Sequence, residues 1–282
     1  IMTPKGFVDF RDVMVWDLVA QWKNGKIEWV PCSHKTIDEY RWKMVNIKKA
    51  TLDACVTPWH RIIYKHKWEI KEDRAWNISF NNTDFSLPES WILKWGLTRL
   101  NDFDRLSIAI QADWSGRWWR NLDWERIERW LSTGCHTYEI SVKKDRKKDR
   151  LMDILWELDL ETRIFNDKRG YLKMEIDIPI SMRTNLKELS WVDLRNKDAR
   201  WCEEFIQELA EWDWTRLPNK VDCKIKYSTT NKFNADVVQA IWTCAGYRTN
   251  IITSVDDRKE TFSDVYIVSF TTNREYTSFS AL

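Results

Sequence analysis

Glycine is scarce in this chain, with 7 residues in 282, against about 20 expected from ordinary usage of about 7%. Few positions can therefore take positive φ at no cost, so turns and helix ends have little of their usual material. No apolar run reaches the ~18 residues that crossing a bilayer requires, so no membrane partner is expected. The opening Ile1-Met2-Thr3-Pro4-Lys5-Gly6 has no signal-peptide apolar core. Six cysteines (Cys32, Cys55, Cys135, Cys202, Cys223, Cys244) include no Cys-x-x-Cys pair. That argues against zinc and for buried free thiols in a reducing, intracellular (cytoplasmic) compartment. An excess of one charge is also missing: 45 basic residues face 43 acidic ones, so no net field announces a nucleic-acid partner.

Tryptophan is present instead, 20 times. Several of these stand where turn chemistry favours glycine. Trp16 precedes Asp17 between strand-like runs, and Trp42 follows Tyr40-Arg41. Trp114 and Trp214 each follow an Asp at a helix end, where a residue able to take positive φ is favoured. Many of these Trp are read as glycines of the source, from UGA codons translated under another genetic code; codons of TGG would end that idea.

Two stretches a hundred residues apart are alike. Arg105–Ser115 and Phe205–Trp214 are each an apolar helix-like run ending in an acidic residue, an Asp-Trp step and a polar loop. Around them, residues 1–80 read as short strands (Val8–Phe10, Met14–Ala20, Ile27–Val30, Met44–Ile47, Ala54–Thr57, Ile62–Tyr64), an all-β pattern. Residues 81–98 are polar and read as a linker. Beyond them, helices are expected from Asp102 or Asp104 to about Ala112, over Asp145–Leu158, Asp198–Trp212 and Asn234–Ala245. Trp114–Trp130 reads as loop with a weak strand. Strands are expected at His136–Val142, Thr162–Phe165, Tyr171–Ile180, Asp222–Ser228, Asn250–Val255 and Val265–Thr271. Aligning Ser141 with Ser228 brings Asp149 onto Asp236, Ile154 onto Ile241, Thr162 onto Thr249 and Ile164 onto Ile251. The order helix–strand–helix–strand–strand thus occurs twice, an internal repeat.

In the strand region, Val56-Thr57-Pro58-Trp59-His60-Arg61 holds a Thr three residues before a His, locked by Pro. Alone, His60 reads as a satisfied structural histidine. Together with Met2–Phe7, Val13–Asp17 and Tyr40–Val45, however, the block resembles the N-terminal part of a Hint (intein or hedgehog-type autoprocessing) domain over about 75 residues. The resemblance implies that Thr57 and His60 polarise a peptide bond beside an N-terminal Cys or Ser. No such nucleophile precedes Ile1, and no His-Asn pair closes the sequence, so the chain as written is expected not to splice.

Residues 99–275 resemble the LAGLIDADG (DOD-type) homing endonucleases. The resemblance rests on Leu106–Trp114, with Ala112-Asp113 its best-kept part, and on Ile206–Trp214, which keeps Glu211 and Asp213. Further support comes from Tyr227–Lys232, Asp236–Gln239 and Ala245–Thr249. Where the family's motif helices carry small packing residues, this chain has Ile108 and Glu208. The implied fold is α+β: a partial Hint domain (1–80), a linker (81–98) and two α-β-β-α-β-β type repeats (99–196 and 197–282) about a pseudo-twofold, in a monomer once embedded in a host protein. The implied function is site-specific cleavage of double-stranded DNA, with Asp113 and Asp213 as catalytic ligands of Mg²⁺. Paired carboxylates suit that hard cation, which activates water and stabilises the leaving oxygen; helix capping is the plain alternative for both. Lys143, Lys144, Arg146, Lys224 and Lys226 are expected to reach phosphates or bases, with a solvated charged face as their alternative. A splicing element with a decayed endonuclease, or a DNA-binding module without cleavage, are the other functions considered.

Overall fold

The computed structural model describes residues 1–23, 26–49, 52–67, 69–78, 85–88, 92–94, 96–113, 135–166, 170–179, 188–213, 225–254, 263–270 and 279–281. Up to residue 78 these are strands and single turns of 3-10 helix: β1 (Met2–Thr3), β2 (Gly6–Phe7), β3 (Leu18–Lys23), β4 (Lys26–Pro31), β5 (Val45–Lys49), β6 (Leu52–Val56), β7 (Arg61–His66) and β8 (Glu69–Arg74). The stretch expected to act as a linker contains β9 (Phe85–Pro88) and β10 (Ile92–Leu93). β10 pairs in parallel with β4, and β9 pairs with β7 and with β17 (Phe279–Ala281), the last described strand.

The rest of the described chain repeats one unit. α1 (Asp102–Asp113), β11 (Cys135–Val142), α2 (Asp145–Leu158), β12 (Thr162–Asn166) and β13 (Leu172–Pro179) are followed by α3 (Ala199–Asp213), β14 (Ile225–Thr229), α4 (Lys232–Cys244), β15 (Thr249–Ser254) and β16 (Val265–Phe270). Each unit forms a three-stranded antiparallel sheet with its third strand in the middle, in the orders β11-β13-β12 and β14-β16-β15. The aligned pairs fall on equivalent elements: Thr162 and Thr249 open β12 and β15, and Ile154 and Ile241 are buried on α2 and α4. The protein is thus mixed α+β with a duplicated unit. A second strand directly after each motif helix would lie in 114–134 and 214–224, outside the described residues.

Sequence periodicity explains which faces meet. On β11 and β13, Tyr138, Ile140, Val142, Met174, Ile176 and Ile178 are buried while the residues between them are not. This is the period of two that covers one face of a sheet. α2 buries Leu151, Ile154 and Leu155, a single helical stripe. α1 buries every residue from Leu106 to Gln111, so it is enclosed on all sides. These residues and the inner faces of α3 and α4 make one core, which Met2, Ile27 and Leu93 also join. Ile47 and Leu87, with Val45, Ala54, Val56, Ile62, Tyr64 and Ile78 against them, form a separate small cluster.

Helix ends follow local chemistry. The cap of α1 is Asn101, whose Oδ1 accepts from the Asp104 amide at 2.7 Å; neither Asp102 nor Asp104, expected from the sequence, takes that place. Asp198 caps α3 through the amides of Arg200 and Trp201, both at 3.0 Å. α4 closes on Gly246 at φ +86°, with Gly246 N–H donating to Thr243 and Tyr247 N–H to Trp242, the paired bonds of a Schellman end.

Candidate active site

α1 and α3 run side by side in the same direction, and side-chain bonds hold their register. Arg99 and the Leu100 amide donate to Glu204 at 3.1 and 2.8 Å, and Trp201 Nε1 donates to Asp104 at 3.0 Å. One turn further on, Arg105 Nε donates to Glu208 at 3.1 Å. At the far end the first turn of α2 lies across both helices. Arg146 Nη1 donates to the Glu211 carbonyl at 2.5 Å and to its Oε2 at 2.9 Å, while the next residue, Lys147, bonds Asp113 Oδ2 through Nζ. Two consecutive residues of α2 thus bond the last turn of α1 and the last turn of α3. Cations there also suit the negative pole of each helix.

Asp113 therefore stands at this junction, about a quarter exposed. Asp213 ends α3, and its side chain lies outside the described residues, as do Trp114, Trp214 and Lys224. Lys143 is exposed, with its ammonium 5.5 Å from the Tyr171 ring centre. Lys144 is exposed at the start of α2, and Lys226 is exposed on β14 opposite Ser269. Arg146 is held by Glu211 rather than standing free. Lys147, Arg105 and Arg150, cations beside the apolar stripes of α1 and α2, join the site without having been expected from the sequence. Their spacing could have revealed them: Lys147, Arg150 and Leu151 stand at i, i+3 and i+4 on one face of α2.

Glu208, where a small packing residue is expected, is buried with 3% of its side chain exposed. Its carboxylate accepts from Arg105, from Arg150 Nε and Nη2 at 2.9 and 2.5 Å, and from Trp212 Nε1 at 2.9 Å. Burial opposes its ionisation. The hydrogen bonds from Arg150 and Trp212 and the charges of both arginines outweigh that and hold the carboxyl below its ordinary value. The helices thus meet across a compensated charge instead of across small residues.

Among the described residues, the sheet faces turned away from the helices carry side chains that are mostly half-buried on the first sheet and in part exposed on the second. On the first, Arg163 Nε reaches Glu175 at 3.0 Å and its Nη1 lies 3.5 Å from Asp177, while Lys173 lies 3.5 Å from Glu139. The second presents Lys226, Ser228 and Ile252. Elsewhere, Thr57 and His60 border a cleft of about 500 Å³ with Trp59, Arg61, Ile63 and Glu72. The His60 amide donates to the Thr57 carbonyl at 3.0 Å.

The described residues contain no group of three or more His, Cys, Asp or Glu able to hold a metal. A carboxylate such as that of Asp113 still fits a hard cation that keeps its waters and takes phosphate oxygens, the habit of Mg²⁺. No helix is long and apolar enough to cross a membrane among the described residues.

No family model matches this chain. It is 25% identical over 288 residues to the ribonucleoside-diphosphate reductase subunit beta of Aquifex aeolicus (strain VF5), a match covering 88% of this chain and 39% of that protein. The chain thus spans about two fifths of the length of that curated relative. Among solved structures, it is similar to mesophilic variants of the homing endonuclease I-DmoI, with TM-score 0.40 and 12% identity over 61% of this chain and 83% of that one. It is similar to the N-terminal LAGLIDADG domain of DUF199/WhiA, with TM-score 0.39 and 11% identity over 61% and 76% of the two chains. For I-DmoI in complex with DNA and Ca the values are 0.39, 12%, 61% and 83%.

Proposed function

We propose that this chain is a double-stranded DNA endonuclease of the homing type, with a divalent metal, Mg²⁺ in the cell, held by Asp113 and Asp213. One observation carries the reading. Two parallel helices, each opening one copy of a duplicated unit and each ending in an aspartate, are clasped near those ends by the consecutive residues Arg146 and Lys147, which bond Glu211 and Asp113. A duplicated scaffold with one carboxylate from each half suits a duplex, whose strands are related by a near-twofold axis. When bound, the metal activates water and stabilises the leaving oxygen of a phosphodiester. The chain's own residues do the rest. Asp113 and Asp213 provide hard oxygens, the exposed Lys143, Lys144 and Lys226 reach for phosphates, and the outer sheet faces offer side chains to base edges.

The match to well under half of a longer enzyme supports an element once embedded in a host protein. The cleft lined by Thr57 and His60 favours a second, autoprocessing role for the N-terminal strands, read as a partial Hint domain. Extending the chain with an N-terminal Cys would test it: thiol-dependent cleavage there that is lost in His60→Ala supports it, and an intact chain overturns it.

The main reading is tested by incubating the full chain with a randomised duplex library and Mg²⁺. Cleavage at one enriched sequence is expected, with loss of at least 10²-fold in rate for Asp113→Asn and Asp213→Asn at unchanged circular dichroism. Retention of duplex with no cleavage under any divalent metal would leave a binding module instead.

A further inference from the structure

Asp113, the carboxylate assigned to the metal, already has a partner. Lys147 Nζ is bonded to its Oδ2, and the two side chains are only 12% and 23% exposed. The ammonium takes one of the two carboxylate oxygens and repels a divalent cation beside it, so it weakens metal binding there. The two clasp residues differ in how firmly they are held. Arg146 is anchored to a backbone carbonyl as well as to the Glu211 carboxylate, so it keeps the turn of α2 on α3. Lys147 holds Asp113 by one contact at the end of a flexible four-carbon stem, so its ammonium can leave while the helix stays. The anion best placed to draw it off is a phosphate lying along exposed Lys143 and Lys144.

We infer that Lys147 is a positioning residue that guards Asp113: without DNA its ammonium holds the carboxylate, and an arriving phosphate takes the ammonium and frees Asp113 Oδ2 for the divalent cation. No covalent bond changes; the ammonium exchanges one anion for another, and the cation occupies the vacated oxygen. Metal loading is thereby coupled to the presence of substrate, which spares the site idle metal. The inference rests on the metal-site reading above.

Mn²⁺ alone serves as the probe, with free ion followed by electron paramagnetic resonance on the full chain. In the absence of DNA, Lys147→Met should bind Mn²⁺ at least tenfold more tightly than the unsubstituted chain, and Asp113→Asn in that background should remove the gain. Adding a random-sequence duplex should raise the affinity of the unsubstituted chain towards that of Lys147→Met. Equal affinities with and without Lys147, both lost in Asp113→Asn, would overturn the guard and leave the metal site standing. No Asp113-dependent Mn²⁺ binding in any variant would overturn both. Lys147→Gln, which keeps a polar tip, repeats each measurement if the methionine variant does not fold.

Discussion

Trp16 lies at φ +80° as the third residue of a turn in which the Asp17 amide donates to the Met14 carbonyl at 3.1 Å. That position in a turn of this hand requires positive φ and is normally glycine. A bulky side chain there is strained, and the indole recovers little, being 73% exposed. Trp16→Gly should therefore raise stability by about 1 kcal/mol, seen as a rise of about 2–4 °C in Tm by calorimetry. A lower Tm would mean that the indole contributes packing that outweighs the strain. Trp42 is likewise exposed, at 77%, whereas Trp201, Trp212 and Trp242 are fully buried. Among the described tryptophans, burial speaks against glycine positions for these last three, whereas Trp16 and Trp42 remain candidates for them. Glycine is also required where the backbone comes close: a Cβ on Gly96 would lie 2.2 Å from Asp198 Oδ2. That oxygen is fixed by the Thr98 amide at 2.8 Å while its twin caps α3. Gly96→Ala should cost at least ~2 kcal/mol, read from the urea midpoint, and more than Gly170→Ala, where nothing stands within 4 Å and only the strain of φ +78°, about 1 kcal/mol, applies.

At the scale of elements, the α1–α3 pair depends on Glu208. Removing its carboxylate leaves the partly buried Arg105 and Arg150 facing each other without the anion between them. Glu208→Ala should cost about 3 kcal/mol, the low end for a broken buried pair, because Arg150 remains about a third exposed. Glu208→Gln, which keeps an acceptor, should cost less. The pH dependence has a definite sign. A folded-state value below the ordinary carboxyl range means a contribution present in full above that range and lost as pH falls through the lowered value. Acid unfolding followed by circular dichroism should be less steep in Glu208→Gln; an unchanged curve would exclude Glu208 as a source. The helices themselves were legible, because Leu151, Ile154 and Leu155, or Trp201, Phe205, Leu209 and Trp212, repeat at helical spacing. The pairing of α1 with α3 was less so, since Glu208 stands where a small packing residue is expected and its arginine partners lie on two other helices. β8 was missed altogether: Glu69-Ile70-Lys71-Glu72-Asp73-Arg74 has almost no apolar alternation, and its ladder with β7 is what holds it.

At the scale of the molecule, a net charge of +2 means that the proposed DNA affinity would come from local cations. With Lys143, Lys144, Lys224 and Lys226 on phosphates and Arg146 committed to Glu211, log K against log salt should fall with a slope of about −4. Lys226→Ala should reduce that slope by about 1, measured by fluorescence anisotropy on a labelled duplex; a slope near zero would exclude phosphate recognition by this set. The repeat was readable because Ser141 and Ser228 align into matching strands, whereas the pairing of sheets over long separations was not, since no short-range pattern encodes it. The clearest case is the ladder of β17 with β9, which joins Ala281 to Ser86 and Phe279 to Pro88. Forming that ladder from an open chain means closing a loop of about 190 residues, whose entropic cost grows with the logarithm of its length. If both repeats fold first, the gap to be closed becomes a fixed short span. Assembly therefore has a preferred order, with the paired helices early and this ladder last, and its amides should be among the first to exchange with solvent.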